Sequence, residues 1–114
     1  MAKQGVFTLP PNINFGVTAF ANSAFTQTIT VLVDNVTKAT FTGGGASDKL
    51  LGTKVINSGN GAVQITVMAN NKASDLVSSK VILGNKSNFA LLGSEDYADQ
   101  DENDGIAVLN WPIG

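Results

Sequence analysis

With 114 residues, 43% of them hydrophobic and only 14% charged, the chain has the size and composition of one compact domain around one core, spanning residues 1–114. It has no Cys and no His, which excludes disulfides, thiolate metal sites, Ser-His-Asp and Cys-His catalysis and imidazole acid–base chemistry. The net charge of −2 hides an asymmetry: six of the nine acids fall between Glu95 and Asp104, and elsewhere seven scattered Lys face Asp34, Asp48 and Asp75, a poor footprint for nucleic acid.

The N-terminal run Met1 to Pro10 lacks the continuous apolar stretch of a secretory signal, and no later run reaches membrane-spanning length. A soluble protein is expected, and action outside the cell or at its surface would require non-classical export. Apolar residues then alternate with polar ones in short runs: Phe15/Val17/Ala19, Ile29/Val31/Val33, Val63/Ile65/Val67 and Val81/Leu83. Each run predicts a half-buried strand. Turn signals separate them at Asp34-Asn35, Gly43-Gly44-Gly45, Ser58-Gly59-Asn60-Gly61, Asn70-Asn71 and Asn85-Lys86. Asn88 to Leu92 leads into the acid run, and Ile106 to Trp111 leads out of it. No helix start with a capping box is present. The class is all-β, and the spacing predicts a two-sheet antiparallel β-sandwich of about eight or nine strands.

Some motifs carry little. Gly43 to Lys49 lacks the G-K-[ST] ending of a phosphate loop and reads as a flexible turn. The triplets Asn35-Val36-Thr37 and Asn85-Lys86-Ser87 fit the glycosylation pattern, which arises by chance at this length. Trp111 could stack on a sugar, but before Pro112 at a strand end it reads as a core or interface residue.

The acid run carries the chemistry. Carboxylates crowded into a loop pinned between two core strands repel one another, and a bound cation reverses that cost. Asp99-Gln100-Asp101-Glu102-Asn103-Asp104 offers hard oxygen ligands at alternate positions plus one, with no nitrogen or sulfur donor, which points to calcium before magnesium. A solvated acidic loop is the ordinary alternative. An EF-hand is excluded: Asp99, Asp101 and Asn103 match its first, third and fifth positions, but Asp104 stands where the turn Gly belongs and Asn110 where the bidentate Glu belongs.

Nearly the whole chain resembles the LecB-like bacterial lectins, which bind fucose and mannose through two adjacent calcium ions. The matching stretches are Gln4 to Pro10, Phe15 to Asn22, Ser74 to Ser78 and Asn110-Trp111-Pro112 ending at Gly114. The most specific match is Ser94 to Asp104, where the family pattern is S-E-D-G-T-D-N-D-Y-N-D. The resemblance implies that Glu95, Asp99, Asp101 and Asp104 hold one calcium, and Asn22, Asp101, Asn103 and Asp104 the other. It implies that the carboxylate of Gly114 reaches the second site of a neighbouring subunit, giving a homodimer that is open to pairing into tetramers. Sugar hydroxyls would complete the calcium shells. Ser23, Ala24, Phe25, Ala46, Asp96 and Asp99 would line the sugar, with the ligands Asp101, Asn103 and Asp104 beneath it.

The implied partners are fucosylated or mannosylated glycans. In this family a Ser at position 23 accompanies fucose preference and an Ala accompanies mannose. Three residues depart from the pattern between ligands: Tyr97, Ala98 and Glu102 replace Gly, Thr and Tyr, which predicts altered rim contacts with intact metal binding. Phe25 stands where small or polar residues are usual. A competing reading is a calcium-stabilised adhesin or structural sandwich without sugar binding. An enzyme ranks third, since a glycosidase needs carboxylates on either side of the scissile bond and these share one loop.

Overall fold

The computed structural model describes residues 4–83, 87–95 and 104–113, with backbone alone at Ala46. Its strands are β1 (Val6–Thr8), β2 (Asn14–Val33), β3 (Val36–Asn57), β4 (Ala62–Ala69), β5 (Lys72–Ala73), β6 (Asp75–Leu83), β7 (Ser87–Glu95) and β8 (Gly105–Trp111), with no helix among the described residues. Neighbours are hydrogen-bonded in the order β1-β4-β2-β8-β7-β6, with β3 alongside β2 and β5 beside β4, and every pairing is antiparallel.

The sandwich comes from one long strand changing partners. The first part of β2, Gly16 to Ala21, pairs with β8, whereas Gln27 to Val33 pairs with β4. β3 follows β2 through both halves. The β2–β3 hairpin therefore belongs to both layers, and residues 22–26 form the corner where one layer passes into the other. Corners of this kind need extra residues, and the β2–β3 register shifts between Ala19 and Phe20, between Ala21 and Ser23, and between Ser23 and Gln27. The Leu50–Gly52 step inserts a single residue opposite Ala19–Phe20. That bulge changes the parity of β3: Ala39 and Phe41 point inward before it and Ile56 after it.

The core is the inner face of both layers. Phe15, Val17 and Ala19 from one half of β2 join Ile29, Val31 and Val33 from the other, with Val63, Ile65 and Val67 of β4, Ala90 and Leu92 of β7, and Ala107, Leu109 and Trp111 of β8. These are the alternations read from the sequence, and Trp111 is a core residue. At about 1.5–3 kcal/mol for each large apolar side chain buried, this cluster supplies the main term holding the layers together. The N-terminal segment closes the side of the sandwich. Ile65 N donates to Gly5 O at 2.8 Å, Gly5 N donates to Ser78 Oγ at 2.8 Å, and Lys80 Nζ donates to Thr8 O at 3.0 Å, so this segment bridges β4 and β6.

Three sequence expectations change. Gly43-Gly44-Gly45 does not end a strand but lies within the 22-residue β3, because the corner bends both strands without breaking their pairing. Phe15/Val17/Ala19 and Ile29/Val31/Val33, read as two strands, lie in the single strand β2 for the same reason. Val81 and Leu83 do not form a half-buried face: both are exposed, since β6 ends its layer and its last residues lie outside the core cluster. The turns at Asp34-Asn35 and Asn70-Asn71 form as expected, with both residues of each pair at positive φ. The Asn85-Lys86 turn lies outside the described residues. No helix of the described residues is long and apolar enough to cross a membrane.

Candidate functional site

One end of the sandwich gathers the corner of β2, the end of β7 and the start of β8. β7 stops at Glu95 and β8 begins at Gly105, so the acid-rich segment is rooted on adjacent antiparallel strands, Ser94 pairing with Gly105. At its two roots Glu95 and Asp104 are buried, 5% and 4% exposed. Carboxylates are not left buried unless they are paired or bind a cation. Backbone bonds hold Asp104 from both sides: its N–H donates to Ser94 O at 2.9 Å, and its C=O accepts from Asn22 N–H at 2.9 Å. Asn22, Glu95 and Asp104, separated by up to 82 positions in the chain, are thus drawn to one place by β2, β7 and β8.

The support beneath them is polar and fully buried. Ser94 Oγ accepts from Gly105 N at 2.8 Å and donates to Gly105 O at 3.1 Å, so its hydroxyl spans the root of the segment. Gly105 has no room for a side chain, since a Cβ there would lie 2.8 Å from Ser94 Oγ and 3.0 Å from Val67 Cγ1. Gly105→Ala should therefore cost about 1–3 kcal/mol by overpacking. Denaturation of the variant beside the wild type would check this.

The corner carries Ser23, Ala24 and Phe25. Ser23 Oγ accepts from Phe25 N–H at 3.1 Å, so the hydroxyl shapes its own loop. Gln27, fully buried, donates from Nε2 to Phe25 O at 3.2 Å and secures the corner from below. Ala24 is exposed and Phe25 half-buried. Beside them, Asn22 Nδ2 donates to Asp48 Oδ1 at 3.0 Å and Asp48 N donates to Asn22 Oδ1 at 2.5 Å.

Of the site residues read from the sequence, the structure brings together Asn22, Glu95 and Asp104 with the Ser23–Phe25 corner. Asp96, Asp99, Asp101, Asn103 and Gly114 lie outside the described residues, as does the side chain of Ala46. Among the described residues no three acidic side chains lie close enough together to hold a metal ion. The sequence reading assigned no role to Ser94, Gln27 or Asp48. Ser94 had a signal, its place at the head of the acid motif; the signal for Gln27 was a Gln in phase with Ile29, Val31 and Val33. The largest groove among the described residues, between Leu9, Lys80, Asn88 and Trp111, lies at the opposite end, where the buried Trp111 presents no face for a sugar to stack on.

Comparison with known proteins agrees with this architecture. Residues 7–113 match the family described as fucose-binding lectin II (PA-IIL). The structure superposes on a high-affinity mannose-binding lectin of Ralstonia solanacearum with a TM-score of 0.96 and 71% identity, covering 99% of this chain and 100% of that one. It superposes on the lectin CV2L of Chromobacterium violaceum, solved in complex with alpha-methyl-fucoside, with a TM-score of 0.95 and 57% identity over 99% and 100% of the two chains. The C-terminal domain of the lectin BC2L-C from Burkholderia cenocepacia is 52% identical with a TM-score of 0.91, each chain covered in full. A comparison with curated protein sequences gave no match. The chain belongs to the PA-IIL family of fucose-binding lectins.

Proposed function

We propose that residues 1–114 form one calcium-dependent lectin domain that binds fucose-type and mannose-type sugars without catalysing their cleavage, with fucose preferred. The observation that carries this reading is the pair of buried carboxylates, Glu95 and Asp104, at the roots of a segment with four more acids, beside Asn22. Such a donor set, all oxygen, fits calcium. Glu95, Asp99, Asp101 and Asp104 would hold one ion, and Asn22, Asp101, Asn103 and Asp104 a second. Bound there, the two ions would accept vicinal sugar hydroxyls as further oxygen ligands. The protein's own part is to hold the carboxylates in place and to present Asp96, Asp99 and the Ser23–Phe25 corner to the sugar, with Ala46 at its edge.

The two relatives named for ligands point both ways, one being titled mannose-binding and the other solved with a fucoside. Ser23 favours fucose. Its hydroxyl follows Asn22 directly and already accepts from Phe25 N–H. Ser23→Ala removes one neutral hydrogen bond to the sugar, worth about 0.5–1.5 kcal/mol, so fucose should weaken about two- to tenfold while calcium binding stays intact. Calorimetry with methyl fucoside and methyl mannoside, with and without chelator, tests both statements. Binding that survives chelation would sink the calcium reading, and an unchanged sugar ratio in the variant would remove Ser23 from specificity.

We also place Gly114 in a neighbouring subunit's site. β8 runs away from the acid segment, and at about 3.4 Å per residue Trp111 lies about 20 Å from Gly105. Ile113 N then bonds to Asn14 O at the far end. Ile113 thus lies at the end of the layer opposite the roots of the acid segment, Glu95 and Asp104. A two-fold pairing would set the far end of one subunit against the site of the other, reciprocally. The outer face of this layer suits such pairing: Val77, Gly93, Ile106 and Phe20 form one cross-strand row, and Ser79, Leu91, Val108 and Thr18 the next. Val77 and Leu91 are exposed in the single chain.

A further inference from the structure

Asp48 belongs to none of the expected ligand or sugar-contact sets, yet it is fastened to Asn22 by two reciprocal hydrogen bonds, Asn22 Nδ2 to Asp48 Oδ1 at 3.0 Å and Asp48 N to Asn22 Oδ1 at 2.5 Å. The register explains why a fastening is needed. Between the pairs Ala21↔Lys49 and Ser23↔Gly45, β2 advances two residues and β3 four, so two residues of β3 are thrown out of the ladder. Ser47 and Asp48 both adopt left-handed backbone, with φ of 65° and 60°. Consecutive non-glycine residues hold that conformation only when their surroundings over-determine it. Ser47, Asp48 and Lys49 are exposed and none of them joins the core cluster, so burial in the core does not hold this turn of the backbone. Its anchor is Asn22, which is itself bonded to Asp104 O at 2.9 Å.

We propose that Asp48 is a positioning residue for sugar recognition: clipped to Asn22, it locks the Gly45–Lys49 bulge, with Ala46 in it, against the root of the acid segment. The proposal rests on the lectin reading above. The clip uses the carboxylate as an acceptor and does not use its charge. Asparagine keeps that acceptor and tolerates left-handed backbone, whereas alanine and glycine lose it. Glycine also adopts the left-handed conformation freely, so it separates loss of the clip from backbone strain.

The test is calorimetry at saturating calcium on the wild type and on Asp48→Asn, Asp48→Ala and Asp48→Gly, with methyl fucoside and methyl mannoside, alongside melting curves and calcium titrations. Asp48→Ala and Asp48→Gly should lose roughly three- to tenfold in sugar affinity, with melting temperature unchanged in Asp48→Gly and lowered by left-handed strain in Asp48→Ala, while Asp48→Asn stays close to the wild type. Alanine and glycine variants that bind like the wild type would overturn the proposal. So would an asparagine variant that falls as far as they do, because the charge and not the clip would then matter. A wild type that binds neither sugar would instead overturn the lectin reading beneath it.

Discussion

Excess chelator should lower the melting temperature by about 10 °C or more and abolish sugar binding in the same titration. A ligand that binds only the folded state adds stability by mass action, about 2.7 kcal/mol when its concentration is 100 times its dissociation constant. For a domain near this size each kcal/mol moves the midpoint by about 4–8 °C. The acid segment adds a second term of the same sign. Six carboxylates lie between Glu95 and Asp104, and two of them are buried at its roots. Removing the cations restores their mutual repulsion where the strands prevent the segment from spreading. Scanning calorimetry in calcium, in magnesium and in chelator would show the order of stability, with calcium highest. Superimposable curves in calcium and chelator would remove metal from this segment.

The sequence made the core legible because a strand's period is two and one face of each is buried. Phe15/Val17/Ala19, Ile29/Val31/Val33 and Val63/Ile65/Val67 all lie in the core where alternation placed them. The same rule misplaced Val81 and Leu83, since alternation reports that one face differs from the other and not that another layer covers it. The unbroken length of β2 and β3 was hidden for a related reason. Asn22 to Thr26 and Gly43 to Gly45 look like breaks by composition, and only the pairing of both strands through the corner shows that they are bends. The acid segment was legible from its density of charge, whereas the parts that hold it were not. Asn22 and Asp48 are 26 positions apart, and nothing local to either announces the hydrogen bonds between them. Gly105 looks like an ordinary strand residue, and Ser94 like no more than the head of the acid motif, until the β7–β8 register sets them opposite each other.

Asp104→Asn should produce stability effects of opposite sign with and without calcium. Asp104 is one of the two acids, with Asp101, placed in both expected ligand sets, and its backbone is held by Ser94 and Asn22 through atoms that the substitution leaves unchanged. Asparagine is nearly isosteric, so the root of the segment should keep its shape while losing one negative charge. Removing one partner of a desolvated charge pair costs about 2–5 kcal/mol, or roughly 30-fold to several thousand-fold in affinity. Calcium binding should fall by that order, and sugar binding, which depends on it, should disappear at ordinary calcium concentrations. In chelator the comparison reverses. The wild type then carries all six acids of the segment without the cations, one of them buried at position 104. The variant has one fewer, so its melting temperature should equal or exceed that of the wild type. A mutation that merely damaged the fold would lower the midpoint in both conditions. Melting curves of the two proteins in calcium and in chelator therefore separate the metal-holding role of Asp104 from a structural one, and a variant less stable than the wild type in chelator would refute the role assigned to it here.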